Sequence, residues 1–479
     1  MKVLRRWTAA LSALSLLVVA LPASAAPATR WEPCPVAGSA ERQECATLTV
    51  PLDHRDPHGR KIDLRISRIP AKGTSRGALV IIPGGPGNSG LNRPSTVNFP
   101  AEIRESFDLI GFDPRGVGQS SPVSCGMAAA DARRLTPWPG PDGDISENIA
   151  TAKRMSEACA RNGGDVLRHI STRNEARDID EIRKALGRSK ISYWGLSYGT
   201  YVGATYATLF PQRTDRVVLD SSDDPDPRRV ARGWLANYAV GFEDRFPDFA
   251  RWAADPANPL RLADSPDAVR PLFLDLAAKL DRAPQDWPGA VPPKLNGNAL
   301  RETLLRGLST DAGFPLLART MAAARDGSPA PVPVLPPDAV LQNISAVAAA
   351  TICQDVTWPR DIDRIARDVQ RNRARYPLTA GMPANAGICS SWPHQPAERP
   401  VEVTSHGPAN VLLVQNRRDV ATPLSGAWKL REAFGRRAVM VTVDAGGHGS
   451  YLATGNACGD TTVTKYLLGG ARPAHDLHC

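Results

Sequence analysis

The sequence predicts an α/β protein, with a mostly parallel central sheet covered by helices and a helical cap inserted between its later strands. Two observations predict it. Short apolar runs rich in Val, Ile and Leu recur, each ending in a polar or glycine-rich loop, which is the pattern of strands buried on both faces. That rhythm stops after Asp220 and resumes near Asn410, and the stretch between them is rich in proline and helical patterns.

Taken from the N-terminus, residues 1–25 have the layout of an export signal: Lys2, Arg5 and Arg6, then an apolar run from Thr8 to Leu21, then Ala23-Ser24-Ala25 as a small-residue cleavage site. The run holds 14 residues, fewer than the roughly 20 a spanning helix needs. A secreted or cell-wall-associated chain beginning near Ala26 is therefore expected, with no stable membrane insertion. Residues 45–50 and 62–69 alternate in polarity and predict a leading antiparallel hairpin. Residues 78–82, 107–112, 191–194, 216–219, 411–414 and 438–443 predict the buried strands. Between two of them, residues 175–186 place Ile179, Ile182 and Leu186 at helical spacing, as a crossover between parallel strands requires.

In the insert, residues 234–252 bring Leu235, Tyr238, Phe242, Phe249 and Trp252 toward one helix face, which reads as core packing. The chain left after signal removal exceeds what one hydrophobic core supports. The expected division is a core over 26–222, a helical cap over 223–405, and the rest of the core over 406–479.

The formal charge of +9 falls to +6 without the three N-terminal cations, and no block of five or six consecutive basic residues occurs. The positive charge is scattered arginine, a solvated surface rather than a nucleic-acid stripe. All eight cysteines, Cys34, Cys45, Cys125, Cys159, Cys353, Cys389, Cys458 and Cys479, follow the signal, and an even count in an exported chain points to disulfides. Eight cysteines allow 105 pairings; pairing that stays local joins Cys34 to Cys45, Cys125 to Cys159, Cys353 to Cys389 and Cys458 to Cys479. Zinc-ligand spacing is missing, so no metal is expected.

Gly195-Leu196-Ser197-Tyr198-Gly199 follows a strand-like run and precedes a helix-like one over 200–209. This is the setting of a nucleophile elbow, whose glycines clear space around a serine on a tight turn. A serine hydroxyl needs a base. Of the eight histidines only His448, in Gly446-Gly447-His448-Gly449, sits just after the last predicted strand. Asp419 follows the strand before it and precedes His448 by 29 residues, which completes the chain order Ser, acid, His. Asp220, Asp223 and Asp224, at the end of the strand before the cap, compete for the role of acid. Two amide donors should face the oxyanion of a tetrahedral intermediate: the N–H of Tyr198 and, from the loop Pro83-Gly84-Gly85-Pro86-Gly87, that of Gly85. Pro86 has no N–H to offer.

These residues resemble the proline iminopeptidase family of α/β-hydrolases, and within it the secreted tripeptidyl aminopeptidases of actinomycetes. The resemblance rests on Gly84-Gly85-Pro86-Gly87, on the run from Asp113 to Ser120, on the run from Gly195 to Tyr201, on Asp419 with Thr422-Pro423, on Gly447-His448-Gly449 and on the segment from Ile352 to Asp355. The family usually carries histidine before the double glycine, where this chain has Pro83. The resemblance implies the α/β-hydrolase fold, Ser197, His448 and Asp419 as catalytic residues, no cofactor, and short peptides released from free N-termini. Arg115 and Gly118 then order the loop beside the site. An exopeptidase must hold an ammonium at a fixed distance from its nucleophile, and a buried ammonium needs a carboxylate; Asp223, Asp224, Glu243 and Asp355 are the candidates. The same three residues would also serve a carboxylesterase or lipase. A silent cell-surface binding protein would not require them.

Overall fold

The computed structural model describes residues 29–35, 42–132, 136–228 and 230–479; the predicted export signal lies outside them. Ten strands form one sheet: β1 (Glu32–Pro33), β2 (Glu44–Pro51), β3 (Lys61–Ile69), β4 (Ala78–Ile82), β5 (Asp108–Phe112), β6 (Ile191–Leu196), β7 (Thr214–Asp220), β8 (Val411–Arg418), β9 (Ala438–Gly446) and β10 (Leu477–His478). Their spatial order is β1-β2-β3-β5-β4-β6-β7-β8-β9-β10. The pairs from β1 to β3, and β3 with β5, are antiparallel. All pairs from β5 to β10 are parallel.

The main helices are α1 (Thr172–Ala185), α2 (Tyr198–Leu209), α3 (Val230–Ala254), α4 (Pro266–Arg282), α5 (Gly297–Leu308), α6 (Phe314–Asp326), α7 (Asp338–Asp355), α8 (Ile362–Arg375), α9 (Leu424–Phe434) and α10 (Ala457–Leu467). Strand β4 shows why the sheet is sandwiched. Its five residues are all buried, and successive side chains point to opposite faces. Ala78, Val80 and Ile82 therefore join one core with Ile179 and Ile182 of α1 and Val202 of α2. Leu79 and Ile81 join another with Ile103 and with Val463 and Tyr466 of α10. A continuous apolar run is thus the signature of a strand with helices on both sides.

Helices α3 to α8 are inserted between β7 and β8, which are neighbours in the sheet. The insertion has a core of its own, in which Phe242 and Phe249 of α3 pack with Phe273, Leu300, Leu317 and Met321, and Tyr238 and Trp252 pack partly buried against them. Helix α7 ties it to the segments between β5 and α1: Asn343 Nδ2 donates to the carbonyls of Gly116 and Val123, and Gln354 Nε2 to those of Leu167 and Ile170. The four disulfides join the sequence-local pairs, Cys34–Cys45, Cys125–Cys159, Cys353–Cys389 and Cys458–Cys479. Among the described residues no helix is long and apolar enough to cross a membrane, and no group of three or more His, Cys, Asp or Glu is gathered as a metal site.

Candidate active site

The parallel strands β6, β7, β8 and β9 all end at one edge of the sheet, where ligands of open α/β sheets bind. Between β6 and α2 stands Ser197, alone in the turn with φ 58° and ψ −126°. A side chain there costs on the order of 1–3 kcal/mol unless the surroundings hold it. They do: the Ser197 N–H donates to the Asp220 carbonyl at 2.9 Å, and the Ser197 carbonyl accepts the Thr200 N–H at 2.7 Å and its hydroxyl at 2.6 Å. The flanking glycines are a steric requirement. A Cβ on Gly195 would stand 2.4 Å from the Gly199 carbonyl oxygen, and one on Gly199 would stand 2.6 Å from that of Ile82. Gly84 approaches the serine itself, since its Cβ would lie 3.2 Å from that of Ser197. Gly85 has φ 122°, a backbone few other residues adopt. Tyr198 opens α2, where the first amides have no partner within the helix.

The loop bearing Gly84 and Gly85 is held from behind. Asp113 Oδ1 accepts the Ser89 hydroxyl at 2.5 Å and the Gly90 and Leu91 amides at 3.2 Å. Arg115, fully buried, donates to both oxygens of Asp178 at 2.7 and 2.6 Å and to the Leu52 carbonyl at 2.8 Å.

His448 lies just past β9, and its Nδ1 meets both oxygens of Asp419, at 2.9 and 3.0 Å. Asp419 is fully buried, and its carboxylate also accepts the Ala421 and Thr422 amides at 2.9 Å and the Thr422 hydroxyl at 3.0 Å. Asn416 Nδ2 donates to the carbonyls of Gly447 and Gly449 at 2.9 and 2.8 Å, bracketing the histidine. No hydrogen bond joins Ser197 Oγ to His448; such contacts commonly close only when substrate is bound. Asp220 does not reach the imidazole. Its carboxylate accepts the Ser450 and Tyr451 amides at 2.8 and 2.9 Å and the Ser221 hydroxyl at 3.2 Å, so one residue braces both the serine turn and the histidine loop.

Burial pulls the His448 pKa down, but the Asp419 charge and hydrogen bond, with Asp223 and Asp220 adding to them, outweigh it and hold the imidazole above its ordinary value. Burial works against Asp419 too, yet the His448 charge and the hydrogen bonds from His448, Thr422 and Ala421 keep its carboxyl below the usual range. An imidazole so held can take a proton from a serine hydroxyl and be stabilised as its cation.

The four amine-anchor candidates differ. Glu243 is chelated by Arg270 at 2.6 and 3.0 Å. Asp224 pairs with Lys429 at 2.5 Å. Asp355 accepts the Thr172 amide at 3.0 Å and hydroxyl at 2.5 Å. Asp223 is 4 % exposed, and its carboxylate has no hydrogen bond or ion pair among the described residues. Burial, chiefly, pushes it up to about 8, against the pull of the His448 charge.

Sequence reasoning missed two donors on α3. Trp234 Nε1 and Asn237 Nδ2 are buried with no hydrogen-bond partner among the described residues, on a helix whose Trp234 ring packs edge-on against Tyr198 at 5.4 Å. Helical spacing from Trp234, through Asn237, to Gly241 was the available signal.

The fold and the serine, histidine and aspartate at its carboxyl edge define an α/β-hydrolase of the serine type. Residues 376–479 match the family described as TAP-like protein. The tripeptidyl aminopeptidase of Streptomyces coelicolor is 34% identical, with 94% of this chain and 85% of that protein covered. Serine protease Hip1 of Mycobacterium tuberculosis is 32% identical over 91% of this chain and 87% of its own. Carboxylesterase B of M. tuberculosis is 31% identical over 95% and 90%. The chain belongs to the tripeptidyl-aminopeptidase-like family of α/β-hydrolases and is a serine hydrolase.

Proposed function

We propose that this chain is an exported serine exopeptidase that releases short peptides, tripeptides by its family likeness, from free N-termini. Ser197 Oγ attacks the scissile carbonyl while His448 takes its proton, and Asp419 steadies the imidazolium. The Tyr198 and Gly85 amides receive the oxyanion. His448 gives the proton to the leaving amine, then draws one from the water that opens the acyl-enzyme and returns it to Ser197. Residues 223–405 form the cap over the cleft, and the export signal is residues 1–25.

The observation that carries the exopeptidase reading is Asp223, a buried carboxylate that feels the His448 charge and has no hydrogen bond or ion pair among the described residues. A substrate ammonium would supply one, and its distance from Ser197 would fix the length of peptide released. Trp234 Nε1 and Asn237 Nδ2 offer donors to peptide carbonyls. A second reading, carboxylester hydrolysis, draws support from the relative named carboxylesterase B. A panel of tripeptide anilides, free and N-acetylated, tests the two against each other with Ser197→Ala as control. Preference for the free amine is expected. Equal cleavage of both would move the assignment to the esterase or an endopeptidase, and turnover by Ser197→Ala would remove the nucleophile.

A further inference from the structure

The inserted helices touch the two loops that carry Asp419 and His448. At the C-terminal end of α5, the Ser309 carbonyl accepts the backbone N–H of His448 at 2.8 Å. Gly447, with φ 99°, allows this approach: a Cβ there would stand 3.0 Å from the same Ser309 oxygen. On α3, Arg245 is 2 % exposed. Its Nε donates to the Leu308 carbonyl at 3.2 Å and its Nη1 to Asp248 at 2.5 Å, and it also pairs with Asp311. Asp248 in turn accepts Arg418 Nε at 2.9 and 3.1 Å, and Arg418 Nη1 reaches Asp444 at 2.5 Å. Arg418 is the last residue of β8, directly before Asp419, and its carbonyl accepts the Gly447 N–H at 3.1 Å. A Cβ on Gly446 would collide with Arg245 Nη1 and Asp248 Oδ2, at 2.0 and 2.4 Å.

This chain of contacts runs from the insertion to both sides of the Asp419–His448 pair. At its centre is the buried Arg245, with Asp248 and Arg418 partly exposed and Asp311 and Asp444 exposed, and a buried charge left unpaired is expensive, so the contacts that meet at Arg245 stand or fall together. The C-terminal end of a helix also carries negative partial charge, which favours an imidazolium beside it.

We infer that Asp248 and Arg418 are positioning residues: with the Ser309 carbonyl they tie the inserted helices to the His448 loop, so that seating of the insertion on the sheet sets the register of the imidazole. The inference rests on His448 being the general base. Substrate bound under the insertion would then be coupled to the proton-transfer step as well as to binding.

The test uses the full mature chain, with Asp248→Asn and Arg418→Met compared with wild type, and Arg418→Lys as the charge-keeping variant. Reactive sites are counted by the end-point of labelling with a fluorophosphonate, so that misfolded protein is excluded. Turnover of p-nitrophenyl acetate, too small to need the insertion, is then expressed per labelled site. The expected result is a fall in ester kcat on the order of 10- to 100-fold, as small misplacements of catalytic groups produce, with Arg418→Lys retaining more than Arg418→Met. Ester turnover per site unchanged, with only a lower Tm or a higher KM for peptides, would overturn the inference. If Ser197→Ala or His448→Ala retains turnover, it is the triad that fails, a result separate from the behaviour of Asp248→Asn.

Discussion

Asp220 and Asp419 are both fully buried at the carboxyl edge of the sheet, yet only Asp419 reaches the imidazole of His448, while Asp220 turns its carboxylate to the amides two and three residues further on. The two acids therefore have separable consequences. Asp419→Asn is expected to cut kcat on the order of 10⁴-fold, as loss of the orienting carboxylate does in serine proteases, with little change in Tm. Asp220→Asn leaves at least one buried amide poorly satisfied and should cost about 1–3 kcal/mol of stability, with the smaller kinetic effect. Steady-state rates alongside thermal melts decide it; a reversed order of the kinetic effects would give the acid's role to Asp220.

The pH dependence follows from the same pair. Burial favours the neutral imidazole, but Asp419, Asp223 and Asp220 together keep the proton on His448 to higher pH than its ordinary value. The base is active when neutral, so kcat/KM for a small ester should rise with pH through a midpoint above about 6.5, the unperturbed histidine value. Removing the largest opposing charge in Asp419→Asn leaves burial in place, and the midpoint should move down in whatever activity remains. A midpoint that does not move would mean that another group governs the limb.

Gly241 of α3 packs so closely on the residue after Asp419 that a Cβ would stand 2.0 Å from the Val420 carbonyl oxygen. Backbone cannot yield as a flexible side chain can, so Gly241→Ala must push α3 away from that loop. Overpacking of this kind costs roughly 1–3 kcal/mol, and a lower kcat is expected with it. An alanine variant that melts and turns over like wild type would show the helix free to shift at this point.

The strands were legible because a sheet covered on both faces imposes an apolar run that few other environments tolerate. Ser197 and His448 were legible because the elbow and the chain order constrain each of them independently. The order β3-β5-β4 was not, since nothing local records which strand a crossover skips. The Arg245–Asp248–Arg418 chain was also hidden: Arg418 lies 170 residues from Asp248, and scattered arginine reads as solvated surface until the fold buries one, as it does Arg245, and pairs the other. Asp223 and Asp224 are the sharpest instance. They are neighbours in sequence, but Asp224 pairs with Lys429 while the Asp223 carboxylate has no hydrogen bond or ion pair among the described residues, a difference set by the backbone after β7 and by no property of the residues.

Asp223 is where the substrate class can be decided. Its amide is fixed to the Thr200 hydroxyl at 3.2 Å, which itself bonds the Ser197 carbonyl, so its place relative to the nucleophile is rigid. Its carboxyl, pushed up to about 8 by burial, is more costly to ionise than an exposed acid until a cation arrives. A substrate ammonium would supply that cation, and a hydrogen bond to a charged group contributes about 1.5–3 kcal/mol. Asp223→Asn should therefore lower kcat/KM for free-amine tripeptide anilides roughly 10- to 100-fold, mainly through KM, while p-nitrophenyl acetate, which has no ammonium to place, keeps its rate on the high-pH plateau where His448 is neutral in both proteins. N-acetylated anilides should be poor substrates of the wild type and no poorer for the variant. The free-amine profile should also carry an ionisation near 8 that the ester profile lacks. If Asp223→Asn leaves the ratio of free to acetylated turnover unchanged, the ammonium is held elsewhere. If wild type shows no such preference at all, peptides with free N-termini are not its substrates.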